Sequence, residues 1–236
     1  MLLPLSGPLS RFPNGLNPLA ESADMSDWVF QLDPARSHLY FNDFDVYAAG
    51  DWTVTTVGAA SAAALAAGDG GWLALTTDTG GTDAVSLQSK VANYNLATNK
   101  DFVVKARFKL SDATDSGIVI GLATVDTTPV ASLPTNGMFF YKASGAAALT
   151  AQMRSSGTAT SLSVATMAND TFVTVAFVYI ASLGIWAVYL NDAYVAQSST
   201  VSNFSTAALA ITIGLLNGAA AAKTLTLDYV LTAKQR

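Results

Sequence analysis

Side chains that can exchange a proton, attack a carbon or hold a metal are scarce in this chain. It has no cysteine and a single histidine, His38. A thiolate zinc site, an iron–sulfur cluster and a cysteine nucleophile are therefore excluded, as is any mechanism that needs two imidazoles. A Ser–His–Asp arrangement would rest on His38 alone, and no G-x-S-x-G elbow is present. His38 stands beside Leu39, Tyr40 and Phe41, the setting of a strand-edge histidine that makes one hydrogen bond. The phosphate-cradling patterns G-x-x-x-x-G-K-[ST] and G-x-G-x-x-G are missing. Glu21 is the only glutamate among 17 acids, so the carboxylate pair of a glycoside hydrolase would have to be built from aspartates. Two pairs lie close in sequence: Asp43 with Asp45, expected on one face of a strand, and Asp112 with Asp115, expected in one turn. Either pair has the oxygens to contribute to a calcium site, which takes about six to eight of them. Neither follows the dense spacing of a dedicated calcium loop, and turn capping or solvation is the reading adopted. Trp52, Trp72 and Trp186 sit inside apolar runs, which favours core packing over an exposed platform for sugars. No catalytic residue, cofactor or metal ligand is assigned.

The 236 residues are 51% hydrophobic and 12% charged, with a net charge of −5, where about 25% charged is usual. Mean hydropathy is +0.36. That length fits one large all-β domain or two small ones. The acidic balance provides no basic footprint for nucleic acid and suits an anionic membrane surface poorly. A chain this apolar needs a bilayer or a large buried surface. Val173 to Leu190 approaches the roughly 18 to 20 residues of a spanning helix. Its Val, Ile, Phe, Trp and Tyr content suits strands instead, Ser182-Leu183-Gly184 reads as a turn, and no Lys or Arg flanks it. Two buried strands are expected there. Met1-Leu2-Leu3-Pro4 lacks the basic start of a signal peptide, and Pro4, Pro8 and Pro13 interrupt any apolar core.

From about His38 the hydrophobic period is two, the mark of half-buried strands. In Asp101 to Leu110, the residues Phe102, Val104, Ala106, Phe108 and Leu110 share one face, and Lys105, Arg107 and Lys109 share the other. Leu149, Ala151 and Met153 alternate with Thr150, Gln152 and Arg154. Near the end, Leu225, Leu227, Tyr229 and Leu231 are expected on one face. Gly68-Asp69-Gly70-Gly71, Gly80-Gly81, Asn136-Gly137 and Asn169-Asp170 punctuate these runs. About a dozen strands or slightly more result, spaced as in a sandwich or barrel and suited to a two-sheet antiparallel jelly roll. Ala59 to Ala67 is expected as a small-residue strand or loop, and Ala219 to Ala222 as a hairpin loop.

The first 34 residues contain Pro4, Pro8, Pro13, Pro18 and Pro34, five of the 7 prolines. Proline at that spacing prevents a long helix and disfavours a paired strand. Leu2, Leu3, Leu5, Leu9, Phe12, Leu16 and Leu19 recur along this arm, followed by Trp28, Val29, Phe30 and Leu32. An extended segment cannot bury such side chains on itself. It either wraps its own domain or lies across a neighbouring subunit or another protein. The second reading is adopted, with Leu2, Leu3, Leu5, Leu9, Phe12, Leu16, Leu19, Trp28 and Phe30 as its partner-contacting residues. The chain thus divides into an arm, 1–37, and an all-β jelly-roll domain, 38–236.

Asp170-Thr-Phe-Val-Thr-Val-Ala-Phe-Val-Tyr179, followed by Ile185-Trp-Ala-Val-Tyr-Leu-Asn-Asp-Ala-Tyr-Val195, resembles the central hairpins of concanavalin A-like and laminin G-like jelly rolls, with Asn191-Asp192 at the tight turn. Phe41-Asn-Asp-Phe-Asp-Val-Tyr47, Asp51-Trp-Thr-Val54, Gly70-Gly-Trp-Leu73 and the closing Leu225-Thr-Leu-Asp-Tyr-Val-Leu231 are similar to structural proteins of tailed-phage heads that carry this domain. The resemblance implies a non-enzymatic decoration (cement) protein on the outer surface of the virion. It would be a homotrimer whose arm bridges subunits of the major capsid protein. The alternative is a carbohydrate-binding or host-adhesion module with a glycan as its ligand.

Overall fold

The computed structural model describes residues 37–236, and the arm lies outside them apart from Ser37. Sixteen strands, numbered in chain order, form two antiparallel sheets of eight. Sheet one runs β14 (Ala193–Ser198), β13 (Ile185–Leu190), β12 (Val173–Ile180), β7 (Phe102–Leu110), β16 (Thr224–Gln235), β4 (Trp72–Thr76), β3 (Ala62–Ala66). The first described strand, β1 (Ser37–Asn42), also pairs with β16. Sheet two runs β11 (Thr158–Thr166), β10 (Ala148–Ser155), β9 (Gly137–Lys142), β8 (Ser116–Ala123), β15 (Ala208–Asn217), β5 (Ala84–Ser89), β2 (Trp52–Val57). A short β6 (Tyr94–Asn95) joins it on β15. This is the all-β, two-sheet jelly-roll sandwich expected from the alternation.

The core lies between the sheets because every second residue of each strand points inward. Phe102, Val104, Ala106, Phe108 and Leu110 of β7 meet Ile118, Ile120 and Leu122 of β8 in one continuous cluster. Its densest part is aromatic. Phe177 stacks on Trp186 at 4.8 Å and on Phe102 at 5.6 Å, and Tyr179 packs on Phe204 at 4.9 Å. The polar tips of this group are satisfied: Trp186 Nε1 donates to Thr200 O and Tyr179 Oη to Thr98 O. Each such ring removed from water contributes about 1.5–3 kcal/mol. The apolar window from Val173 to Leu190 is the β12–β13 hairpin. Among the described residues no helix is long and apolar enough to cross a membrane.

Local expectations hold at several points and fail at others. Asn191 and Asp192, at φ 50° and 65°, form the two-residue turn between β13 and β14, the left-handed pair that matches strand twist. The alanine-rich stretch supplies β3. Ala219 to Ala222 is not a hairpin loop: it carries the chain from β15 in sheet two to β16 in sheet one. Asp43 and Asp45 are not on a strand, since β1 ends at Asn42 and bends follow. The largest correction concerns β16. Leu227 faces Phe108 and Tyr229 faces Arg107, so Asp228 is an extra residue, a bulge. It reverses the alternation. Leu225, Leu227 and Val230 enter the main core, while Leu231 and Ala233 join a second cluster on the outer face of sheet one with Val103, Ala176 and Val178.

The outer face of sheet two has its own cover. The loop of residues 124–136 brings Val130 against Val119, Ala123 and Phe139. Gly214 makes this approach possible, because a Cβ there would stand 2.3 Å from Val130 Cγ2. At the margins of both sheets, β14, β3, β11 and β2 contain neither charge nor proline. Gly214→Ala is expected to cost about 1–3 kcal/mol by displacing Val130. The double variant with Val130→Ala should lose less than the sum of the single changes, a coupling that urea unfolding of the three variants measures.

Candidate functional site

Five of the carboxylates are engaged in architecture. Asp112 Oδ1 accepts from the backbone N–H groups of Thr114 and Asp115. Asp78 accepts from Thr79 and Ala60, Asp83 from Gly80, Asp126 from Thr128, and Asp101 from Ala181. Each therefore holds a turn or a loop, as short acidic side chains do. Among the described residues no group of three or more His, Asp or Glu side chains is placed to hold a metal ion. His38 lies on β1, packs edge-on to Tyr94 at 5.3 Å, and has its pKa lowered by burial and by Lys234 and Arg236.

The Asp112–Asp115 turn, weighed as a calcium site from its sequence, is met by cations of the protein itself. Lys223 Nζ donates to Asp112 Oδ2 at 2.7 Å. Lys142, at the inward end of β9 and fully buried, donates to the carbonyls of Thr114, Ser116, Ala143 and Ala146. Four carbonyl oxygens around an ammonium resemble a cation cage closed by a side chain. Burial lowers the Lys142 pKa to about 8 against the pull of Asp112 and Asp115. Backbone N–H donors and Lys223 hold Asp112 down to about 2. Beside this cage, Asn217 Nδ2 contacts the carbonyls of Asp78, Gly80 and Ala221. A polar clasp thus shuts one end of the sandwich. Alternation with the buried Met138 and Phe140 turns Lys142 inward, and the loops that curl back over it supply the carbonyls that make a charge tolerable there.

The outer face of sheet one holds the charged row that the β7 alternation placed opposite the core. Arg107 pairs with the bulged Asp228 and lies 4.4 Å over the Phe172 ring. Lys109 Nζ sits 5.3 Å from the Trp72 ring and 5.2 Å from Phe172. Lys105 pairs with Asp192. Trp52 and Trp186 are core residues, as expected, whereas Trp72 is half-buried on this outer face. Strand parity explains the difference: Leu73 and Leu75 face inward, so Trp72 faces out. Cations already occupy the faces of Trp72 and Phe172, which leaves these rings poorly placed to stack on a sugar.

An open hollow of about 340 Å³ lies beside β1 and is lined by Tyr40, Asp51, Lys90, Asn93 and Tyr94. Tyr40 Oη accepts from Asn42 Nδ2. The Tyr94 hydroxyl is held by Thr232 and pushed up to about 12 by burial, so it stays a neutral phenol. The arm residues Leu2, Leu3, Leu5, Leu9, Phe12, Leu16, Leu19, Trp28 and Phe30 lie outside the described residues.

The architecture is that of the lectin-like, concanavalin A-like jelly roll. An endo-1,3-beta-glucanase from Streptomyces sioyaensis superposes with a TM-score of 0.61 at 11% identity, over 86% of this chain and 98% of that one. The Emp47p carbohydrate recognition domain superposes with a TM-score of 0.60 at 14% identity, over 85% and 98%. Peanut lectin in complex with a 9-residue peptide does so with a TM-score of 0.59 at 10% identity, over 84% and 97%. No protein-family model matches the sequence, and no curated protein matches it either. At these identities the likeness defines the fold.

The clasp predicts a distinctive pH profile. The Lys142 pKa is lowered in the folded chain, so the native state releases that proton before the unfolded state does. Stability should rise with pH between about 8 and 10. Tyr94 and Tyr229, raised to about 12, reverse the trend above pH 10. On the acid side, the contribution of Asp112 is present above about pH 4 and is lost as pH falls towards 2. In urea unfolding across pH, Lys142→Met should flatten the alkaline rise and Asp112→Asn the acid fall.

Proposed function

We propose that this chain is a non-catalytic structural protein of a tailed-phage head, a decoration or cement protein on the outer surface of the capsid. It works as a homotrimer and bridges subunits of the major capsid protein through its amino-terminal arm. The observation that carries this reading is how the arm joins the domain. It runs directly into β1, which is zipped along six residues to β16, the central strand of sheet one. Arg236 Nε adds a bond to Ser37 O at 3.1 Å. A pull transmitted to β1 is therefore met by a six-residue ladder and not by a single contact. The apolar side chains from Leu2 to Leu19 would bury area on a partner, and the interspersed prolines lower the entropy lost on ordering. The likeness of Phe41–Tyr47 and Leu225–Leu231 to tailed-phage head proteins points the same way.

A second reading, a carbohydrate-binding module, is favoured by one feature. The hollow beside β1 presents Tyr40, Asp51 and Asn93, groups able to exchange hydrogen bonds with sugar hydroxyls, on a fold shared with carbohydrate recognition domains.

Removal of residues 1–20 separates the two. The shortened chain should keep its melting temperature yet bind capsid shells at least 100-fold more weakly. Undiminished binding to the shells would remove the bridging role of the arm. Glycan-array binding that disappears in Tyr40→Ala would support the second reading.

A further inference from the structure

Strand β11 closes one margin of sheet two, and its sequence, Thr-Ala-Thr-Ser-Leu-Ser-Val-Ala-Thr, reads almost the same in both directions about Leu162. Thr158 matches Thr166, Ala159 matches Ala165 and Ser161 matches Ser163, while Thr160 meets Val164, which branches at the same carbon. The strand is 9 residues long and carries neither of the devices, charge or proline, that usually blunt an edge. Which main-chain groups face out follows from its hairpin. Ser156 and Gly157, at φ 50° and 83°, form a two-residue turn into β11. Thr158, Thr160 and Leu162 therefore direct their N–H and C=O groups to β10, and alternation turns those of Ala159, Ser161 and Ser163 to the free side. Among the described residues nothing hydrogen-bonds to them there. Ser161 and Ser163 are exposed, and Leu162 is only half-buried at the rim of the core.

We propose that β11 pairs antiparallel with β11 of a second copy about a two-fold axis through Leu162, joining two eight-stranded sheets into one. This inference stands independently of the capsid reading. A two-fold contact cannot close a three-fold ring, so on that reading it links one trimer to the next. Three observations select a second copy as the occupant. The first is register. Ser161 of one copy lies opposite Ser163 of the other, both with main-chain groups aimed across, which gives about four hydrogen bonds around the axis. Inner and outer faces stay matched only when the axis passes through a residue, because a one-residue slip exchanges them. Val54-Thr55-Thr56-Val57 of β2 is also symmetric, but about the point between two residues, which would set opposite faces together. The second is charge. Across a two-fold, a charge near the axis meets its own copy, and β11 has none. The third is size. The strand is about 30 Å long, and β14 of sheet one lies alongside it, two layers about 10 Å apart. That side offers on the order of 600 Å² per copy, the lower end of specific interfaces. A bulge at Val164, where Leu149 and Thr150 of β10 take Ala165 and Ser163, bends the far end away and confines the ladder to its centre. The contact is accordingly reversible and concentration-dependent.

The chain has no cysteine, so single substitutions report the register. In the full chain under mild oxidation, Leu162→Cys should form a disulfide between copies, because the axis sets that position against itself with Cα atoms about 4.5 Å apart. Thr160→Cys stands about 14 Å from its own copy, beyond disulfide reach, and should cross-link at least ten-fold more slowly. Equal rates, or no cross-link in either, would overturn the proposal. Should Leu162→Cys fail to fold, two variants of the exposed serines decide. Ser161→Lys with Ser163→Lys opposes like charges across the axis, whereas Ser161→Lys with Ser163→Glu opposes unlike charges at the same two positions. In sedimentation, the unaltered chain should double its mass as concentration rises. The lysine pair should weaken that association at least ten-fold, and the lysine–glutamate pair should restore it. The same association in both variants, whether absent or undiminished, sinks the idea.

Discussion

Strand β16 hydrogen-bonds to β7 along one side and, on the other, first to β4 and then to β1. Both halves of sheet one are therefore held by the last strand of the chain, and the extra residue Asp228 is what lets one strand serve two partners. Before the bulge its alternate residues feed the main core. After it they feed the outer cluster. The contact between Arg236 and Ser37 spans 199 positions in sequence, so the sheet cannot close until nearly the whole chain is present. Such long-range pairing is paid for in loop-closure entropy before the core rewards it.

Charge is used sparingly and where it organises. Among the described residues, three ion pairs tie cations to aspartates, two on the outer face of sheet one and one at the end clasp. Each pair has one partner largely out of water, so desolvation offsets part of its attraction. Lys142 differs because its ammonium is fully buried and meets only carbonyl dipoles. Removal from water works against that charge, and the four hydrogen bonds offset the cost only in part, as the downward shift of its pKa records. The gain is geometric. One side chain gathers the β7–β8 turn and the β9–β10 loop onto the same point.

The fold was legible because this chain alternates cleanly: β7, β10, and the β12–β13 and β13–β14 hairpins follow from period and turn residues alone. What stayed hidden depends on register between distant strands. Nothing local marks Asp228 as a bulge, since Leu225, Leu227, Tyr229 and Leu231 form a perfect period-two series, and only pairing with Arg107 and Phe108 breaks it. Trp72 was assigned to the core from its apolar neighbours, but those neighbours are the inward residues of its own strand, which puts the ring outside. Ala219–Ala222 looks like a hairpin loop because a turn between sheets and a turn within one use the same small residues. The Asp112–Asp115 turn was visible, whereas the lysines that meet it come from positions 142 and 223.

The turn-holding aspartates have a consequence for how copies crowd together. The acids that hold turns sit where strands end, several of them beside a cation, while the long rims carry no charge. The rims are the uncharged margins β14, β3, β11 and β2. Charge of one sign keeps particles apart only along the directions in which it is displayed, and over roughly 8–10 Å at ordinary salt. Side-by-side spacing in a monolayer would then be set by shape and not by repulsion, giving a tessellation whose density responds little to ionic strength.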